Sequence, residues 1–409
     1  MKSARHGLLL GAALLLAAIL PTRAPAAGSD WRLGGYLKSL DLYLAAPPAG
    51  PQGSGTASSN RARLDLTGPL GKEVDFEASV EDQLLFSDPA GYLPLPRNAV
   101  NRVFDLDHVW SGGSAADRLD VDRLDLSGTL FGAEWRAGRQ ALGFGRIALF
   151  SPLDIIAPFP PDALDTDVRP GVDALHLVRY FGLGGQVGGT AVFGDAPRHN
   201  SYLATFTENI AQLDLLAIGG ELRHRPVLGL GLAGSLGPLG LKGEVAGYRG
   251  TDSGRPGGDL HRHFAIAAVE AWYRFEAGPI LLAEYLFNGA GAAHPETYPA
   301  YYQSAAFQEG LSFLAGRHYL LLGPSWEVHP LVKLEGLVIA NLADASFLLR
   351  PLVDLSLSDN ATLQVFWSFS RGRTPRRVSS PPLPLPVPVP RSEFGSGGDS
   401  GGLFLKYFF

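Results

Sequence analysis

Segments of about ten residues in which polarity flips at every second position, each closed by a turn, recur along the chain. Asn60 to Leu66 sets Arg61, Arg63 and Asp65 against Ala62, Leu64 and Leu66. Lys72 to Leu84 sets Asp75, Glu77, Ser79 and Glu81 against Val74, Phe76, Ala78 and Val80, after a tight turn at Pro69-Leu-Gly71. The same step governs 264–275, 347–358 and 362–370. A helix would repeat its apolar positions every three or four residues, so a period of two predicts strands with one apolar face.

The apolar face needs a partner medium. Hydrophobic residues make up 46% of the chain and charged residues 18%. Past residue 20, runs such as 264–273 and 279–287 are broken by Glu270 and Glu284, so no stretch is long enough for a helical span. Nearly every strand carries charges opposite its apolar face, and the strands are too many for one compact sandwich. Apolar residues outside and polar residues inside account for both facts, because a bilayer admits only helices and closed barrels. The fold class expected is all-β, a transmembrane antiparallel barrel.

The strand count follows from parity. Short links (69–72, 131–133, 182–185, 208–212, 236–238, 277–279, 328–330, 358–360) read as periplasmic turns. Long links (45–59, 87–116, 142–171, 195–199, 251–262, 289–315, 372–400), with short ones at 223–227 and 343–344, read as extracellular. They alternate throughout only if the weak segment 200–207 is a strand, which gives about 18 strands; 16 is the alternative. A lumen of that width is too wide for wall side chains alone to fill.

The two ends read as export and assembly signals. Lys2 and Arg5 precede an apolar run, Leu8 to Leu20, and Ala24-Pro25-Ala26 offers small residues for cleavage after Ala26. Residues 1–26 are thus expected to be a signal peptide and 27–409 one barrel domain. The chain closes on Leu403, Leu405, Tyr407 and Phe409, one apolar and aromatic face of a last strand, which resembles the terminal signal by which outer-membrane barrels are assembled. No hundred-residue plug is expected before the first strand, which makes transporter and autotransporter readings the weaker expectations.

Composition also excludes chemistry. There is no Cys, so disulfide scaffolds, thiol enzymes and Cys-ligated metals are removed. Loss of Lys2, Arg5 and Arg23 with the signal takes the formal charge from −6 to about −9, which argues against nucleic acid. The close pair His261-Arg-His263 has no carboxylate in ligand spacing, so no metal is expected. No Gly-x-Ser-x-Gly elbow or phosphate loop appears, and no catalytic residue or cofactor is implied.

The densest segment runs from Gly138-Arg-Gln140 through Gly143-Phe-Gly145-Arg146, Phe150-Ser-Pro-Leu-Asp154 and Asp162 to Arg169-Pro-Gly171 and Asp173. It is proline-stiffened and apolar for a solvated link, through Ile155, Ile156 and Phe159, so it is expected to fold against the barrel wall rather than wave in water. Folded inward, 142–171 would make the constriction, with Arg139, Arg146, Asp154, Asp162, Asp165, Asp167, Arg169 and Asp173 as candidate pore residues.

These elements resemble porin-like outer-membrane families that include the alginate-export type. The likeness covers roughly 138–180 and the terminal strand. It implies an 18-stranded barrel passing an anionic polysaccharide through an arginine-lined lumen. This lumen departs from that pattern by being mixed in sign. Alternation points Arg61, Arg63, Arg123, Arg136 and Arg350 inward, but also Asp65, Asp75, Glu77, Glu81, Asp125, Glu134, Glu270 and Glu335. Ladders of opposed charge also hold neighbouring strands in register.

The expectation is therefore a porin or channel for passive passage of small hydrophilic or anionic solutes, with polysaccharide export of the alginate type as its finer form. A scaffold for a secretion or electron-transfer complex and an outer-membrane hydrolase are the alternatives. Expected partners are the lipids and lipopolysaccharide of a Gram-negative-type outer membrane, the barrel assembly machinery, and the solute. Arg371, Arg373, Arg376 and Arg377 precede a proline alternation, Pro381 to Pro390, and a Gly/Ser stretch. This is a stiff rod with a flexible end, expected as a solvated extracellular loop in 372–400.

Overall fold

The computed structural model describes residues 30–48, 53–89, 100–379 and 387–409. The expected signal peptide and the start of the proline run lie outside them. The architecture is a closed antiparallel barrel of 18 strands. They are Arg32–Leu44, Gly55–Pro69, Val74–Asp88, Ala115–Leu130, Ala133–Gln140, Val172–Phe181, Gly185–Phe193, Ser201–Ile210, Leu213–Leu222, Arg225–Leu236, Leu239–Arg249, His263–Arg274, Ile280–Asn288, His318–His329, Val332–Asn341, Ser346–Ser358, Ala361–Arg371 and Ser400–Phe408. The weak segment near 200–207 is a full strand, so the parity argument holds.

Closure is made by the first and last strands. Arg32–Leu44 pairs on one side with Gly55–Pro69 and on the other with Ser400–Phe408, from Tyr36 opposite Phe408 to Leu44 opposite Ser400. Neither the first nor the last strand is left with an open edge, which a bilayer would penalise at every free N–H and C=O. Turns at one end are tight. Phe131-Gly132 and Ala211-Gln212 have positive φ at both central residues, the geometry whose twist matches paired strands. Arg223-His224 makes the same turn at the opposite end.

Alternation sorts the two faces. On Arg225–Leu236 the outward Leu228, Leu230 and Leu232 are 68%, 49% and 54% exposed, while the inward Val227 is 5% exposed. Leu403 and Leu405 of the last strand face out in the same way, with Phe404 and Lys406 buried inside. Exposed aromatics mark both rims: Tyr43, Phe86, Tyr202 and Phe347 toward the long links, Phe131, Phe181 and Trp326 toward the short turns.

Three features depart from the sequence reading. First, the inner face is polar on only part of the ring. Leu203, Leu216, Ile218, Val227, Ile266 and Leu286 point inward and are buried in an apolar core within the lumen. Second, the link 87–116 contains a short strand, Asp107–Gly112, which pairs with 115–120 above the point where Ala133–Gln140 has ended. Third, the end of 372–400 is packed rather than free. Ser392 and Gly395 are buried, and the Glu393 carboxylate accepts from Ala315 N (2.6 Å), Tyr319 Oη (2.5 Å) and Asn341 Nδ2 (2.9 Å). The rod before it forms a small hairpin, Arg376–Val378 with Val387–Val389. Arg371 pairs with Asp399 across the base of this link.

Replacing the outward Leu230 with Arg is expected to destabilise the folded barrel by about 2–4 kcal/mol if the site lies at the bilayer midplane. Leu183, fully exposed in a tight turn, should tolerate the same change. Urea unfolding of both variants in lipid vesicles checks the contrast; equal losses would place neither row against hydrocarbon.

Candidate functional site

The strand Ala133–Gln140 is half the length of its neighbour Ala115–Leu130 (8 against 16 residues), and Gln140 pairs directly with Val172. The segment 141–171 thus leaves and rejoins the wall short of the rim, and it turns into the barrel.

Its first half is gripped through the main chain. Glu244, Glu270 and Glu284 stand on three successive strands, on their inward faces, and all three are buried. Glu244 accepts from the N–H of Arg146 (2.6 Å), Ile147 (3.2 Å) and Leu153 (3.3 Å), and from the Ser151 hydroxyl. Glu270 accepts from Ala148 N (2.6 Å) and pairs with Lys242 (2.7 Å). Glu284 accepts from Phe150 N at 3.2 Å. A hydrogen bond contributes about 0.5–1.5 kcal/mol net, so the several bonds from the three side chains together hold the segment.

Apolar packing supplements this grip. Leu142, Ile147, Phe150, Leu153, Ile155 and Ile156 are buried against the inward aliphatic side chains. Leu153 lies on the inward glycines 229 and 231. A Cβ at Gly229 would fall 2.4 Å from a Leu153 methyl, and one at Gly231 2.9 Å from the other. Glycine here makes room for the segment. Tyr298, Tyr301 and Leu311 of the link 289–317 extend the same core.

The second half crosses to the other side of the ring. Asp165 takes Lys38 at 3.0 Å and pairs with Arg61; Asp167 takes Lys38 at 2.8 Å and Lys406 at 3.0 Å. The Asp162 carbonyl accepts from Arg350 at 2.7 Å. Lys38 and Lys406 belong to the first and last strands, nearly opposite Glu244 around the barrel. Burial would raise the Asp165 carboxyl, but Arg61 and Lys38 outweigh it and hold it below the usual carboxylate range. That pairing therefore persists above the ordinary carboxylate value and is lost only as pH falls through the lowered one. Within the segment, Arg169 pairs with Asp154 at 2.6 Å. For Asp154, burial outweighs Arg169 and leaves its carboxyl raised.

The expected inward charges are on the inner wall, and most are paired. Arg63 bonds Asp65 (2.6 Å) and Asp122 (2.7 Å), and Arg123 bonds Asp122 (2.5 Å). Arg136 bonds Asp125 (2.6 Å) and Glu77. Glu81 accepts from the Tyr36 hydroxyl. Asp75 lines a cavity of about 490 Å3 near the short turns, with Arg32, Glu77 and Arg136. The Arg146 guanidinium has Asp214 as an ion-pair partner at 3.9 Å.

Two expected pore residues are elsewhere. Arg139 and Asp173 share rows with the outward Leu124 and Phe193, not with the inward Arg136 and His176. They form a buried pair (2.7 Å) closed over by Val103 and Phe104, where the early end of the strand leaves a gap in the wall. They brace the segment's ends and do not line the lumen.

Glu244, Glu284, Lys38, Lys406 and Asp122 are the site residues the sequence reading missed. The first four fall on the inward parity of strands it had placed, so alternation could have found them. Asp122 is the extra residue at a bulge, where Arg123 faces Ser79 and Val121 faces Val80, and simple alternation fails. Among the described residues no group of three His, Asp or Glu could hold a metal.

Gly229→Val should push Leu153 off the wall, destabilise the barrel by about 1–3 kcal/mol, and make 146–156 sensitive to protease at temperatures where the parent resists. Unchanged cleavage would mean that Leu153 does not seat the segment.

No family model matches the chain, and no curated protein sequence matches it. Among solved structures, Pseudomonas putida OprB at low pH superposes over 93% of this chain and 93% of its own, with 8% identity and a TM-score of 0.44. A triple mutant of the Rhodopseudomonas blastica porin superposes over 93% and 100%, with 10% identity and a TM-score of 0.44. OmpT of Vibrio cholerae, in a trimer form, superposes over 93% and 99%, with 11% identity and a TM-score of 0.42. The chain is similar to these outer-membrane barrels at the level of general architecture.

Proposed function

We propose that this chain is exported by its first 26 residues, is assembled into an outer membrane through the outward face of its last strand, and passes small hydrophilic solutes down their gradients. The observation that carries the reading is the inward segment 141–171, tied at one end to Glu244, Glu270 and Glu284 and at the other to Lys38, Arg61 and Lys406. It narrows a barrel that would otherwise be wide, and it divides the lumen. One side is filled with aliphatic side chains. The other, along the first five strands and the last two, is lined by charges, hydroxyls and amides such as Ser59, Gln83, Gln364 and Ser368. A hydrated solute has favourable contacts only on that second side.

Small solutes fit this wall better than a polyanion. Arg61, Arg63, Arg123 and Arg136 each have a carboxylate partner. Such a wall has local dipoles but no one-signed field to draw a long anionic chain. The exposed Arg376 and Arg377 on the outer hairpin suit lipopolysaccharide phosphates.

Planar-bilayer recording tests the proposal. The purified protein should give a steady open-channel current, and deletion of 158–168 should increase it. A closed parent barrel would overturn the channel reading, and an unchanged current in the deletion would remove the segment as the constriction. Asp165→Asn with Asp167→Asn removes two carboxylates from beside Lys38, Arg61 and Lys406, so the reversal potential in a salt gradient should move toward anion preference. A reversal potential like the parent's would place the pair off the conducting path.

A further inference from the structure

Between the inward segment and the wall lies a second cavity, of about 340 Å3. Its lining includes Arg136, Gln140, Phe144, Arg146, Gln186 and Thr207. Its volume is within the range of sites that enclose small ligands, about 300–1,000 Å3. Two of its polar atoms have no hydrogen-bond partner although they are buried, a terminal guanidinium nitrogen of Arg146 and the Gln140 carbonyl oxygen. A buried donor and a buried acceptor left open on one cavity are costly unless something else satisfies them.

The committed and uncommitted groups differ in kind. Arg136 is already engaged by Asp125 and Glu77. The Gln140 amide nitrogen is engaged by the Ala174 carbonyl at 2.9 Å. The Arg146 guanidinium has its carboxylate, Asp214, at 3.9 Å, beyond hydrogen-bond reach. Gln186, Thr205 and Thr207 add amide and hydroxyl groups, while Phe144, Leu142 and Leu216 give an apolar floor. A cation whose carboxylate stands off at 3.9 Å, an open carbonyl, several hydroxyl-pairing groups and a flat apolar surface together match one chemical class.

We infer that this cavity is a binding subsite for a small polyhydroxylated monocarboxylate, the carboxylate on Arg146 and the hydroxyls on Gln140, Gln186, Thr205 and Thr207. A neutral polyol lacks the charge that Arg146 needs. A plain carboxylate leaves the Gln140 oxygen unpaired. The inference rests on the channel reading only for its purpose, since the subsite would slow and select a passing solute.

Gluconate is the probe, with glucose and acetate as the comparators that lack its charge and its hydroxyls. Calorimetric titration of the detergent-purified protein should show saturable gluconate binding, with glucose and acetate weaker by roughly tenfold or more. Arg146→Gln should weaken gluconate by a similar factor and Arg146→Lys should restore part of it. Thr205→Val with Thr207→Val should bring gluconate down to the level of acetate while leaving acetate unchanged. Equal binding of gluconate and acetate, or an Arg146→Gln protein that binds gluconate like the parent, would overturn the subsite. Conductance in plain potassium chloride separates the two ideas. Open current without gluconate binding removes the subsite and leaves the channel; gluconate binding by a barrel that never conducts does the reverse.

Discussion

A main chain inside hydrocarbon has no water to hydrogen-bond, and every other property of this molecule is arranged around that constraint. The pairing of Arg32–Leu44 with Ser400–Phe408 joins the first and last strands and leaves neither with an open edge. Along the ring, register decides which side chains see lipid. The outward leucines of Arg225–Leu236 and of the last strand are a consequence of closure as much as of composition. The two lysines that hold Asp167, Lys38 and Lys406, lie on this seam. The interior segment is therefore fastened to the place where the barrel itself is completed.

A ring of this width poses a second problem, because its wall side chains cannot meet across the middle. The chain solves it asymmetrically. On one side the wall turns aliphatic side chains inward and covers them with Leu142, Phe150, Leu153 and the Tyr298–Tyr301 region. On the other it keeps an ionic lattice of Arg63, Asp122, Arg123, Glu77 and Arg136. The two halves obey different physics. The first is a protein core that happens to lie within a barrel, and the second is a solvated surface turned inside out. Buried ion pairs offset desolvation only when hydrogen bonds accompany them, and Asp122, which accepts from Arg63, Arg123 and the Gly171 N–H, meets that condition.

The wall was legible because a period of two is unambiguous where one face is charged. Strands such as Val74–Asp88 and Ser346–Ser358 announce both their existence and their facing. The weak strand Ser201–Ile210 became legible only through parity of the links. Legibility failed where the contrast between faces vanished. Leu213–Leu222 is apolar on both faces for much of its length, so nothing in its letters says that Leu216 and Ile218 meet an interior segment and not lipid. It failed again where alternation is broken, at the Asp122 bulge, and where a strand stops early, since Arg139 and Asp173 read as pore residues only if the wall continues past them. The inward course of 141–171 was foreshadowed by its prolines and isoleucines. Its partners were not, because a glutamate that binds main-chain N–H groups carries no sequence mark of the segment it will hold.

That last contact sets how much of the interior segment's sequence its attachment depends on. Glu244, Glu270 and Glu284 grasp amide hydrogens that every residue but proline possesses. Those bonds do not read the side chains of Arg146 and Ala148, whereas Ile147, Phe150, Ser151 and Leu153 also hold the segment by packing and by a hydroxyl. The three glutamates thus hold the course of the inner segment without specifying which side chains it carries at the bonded positions 146 and 148.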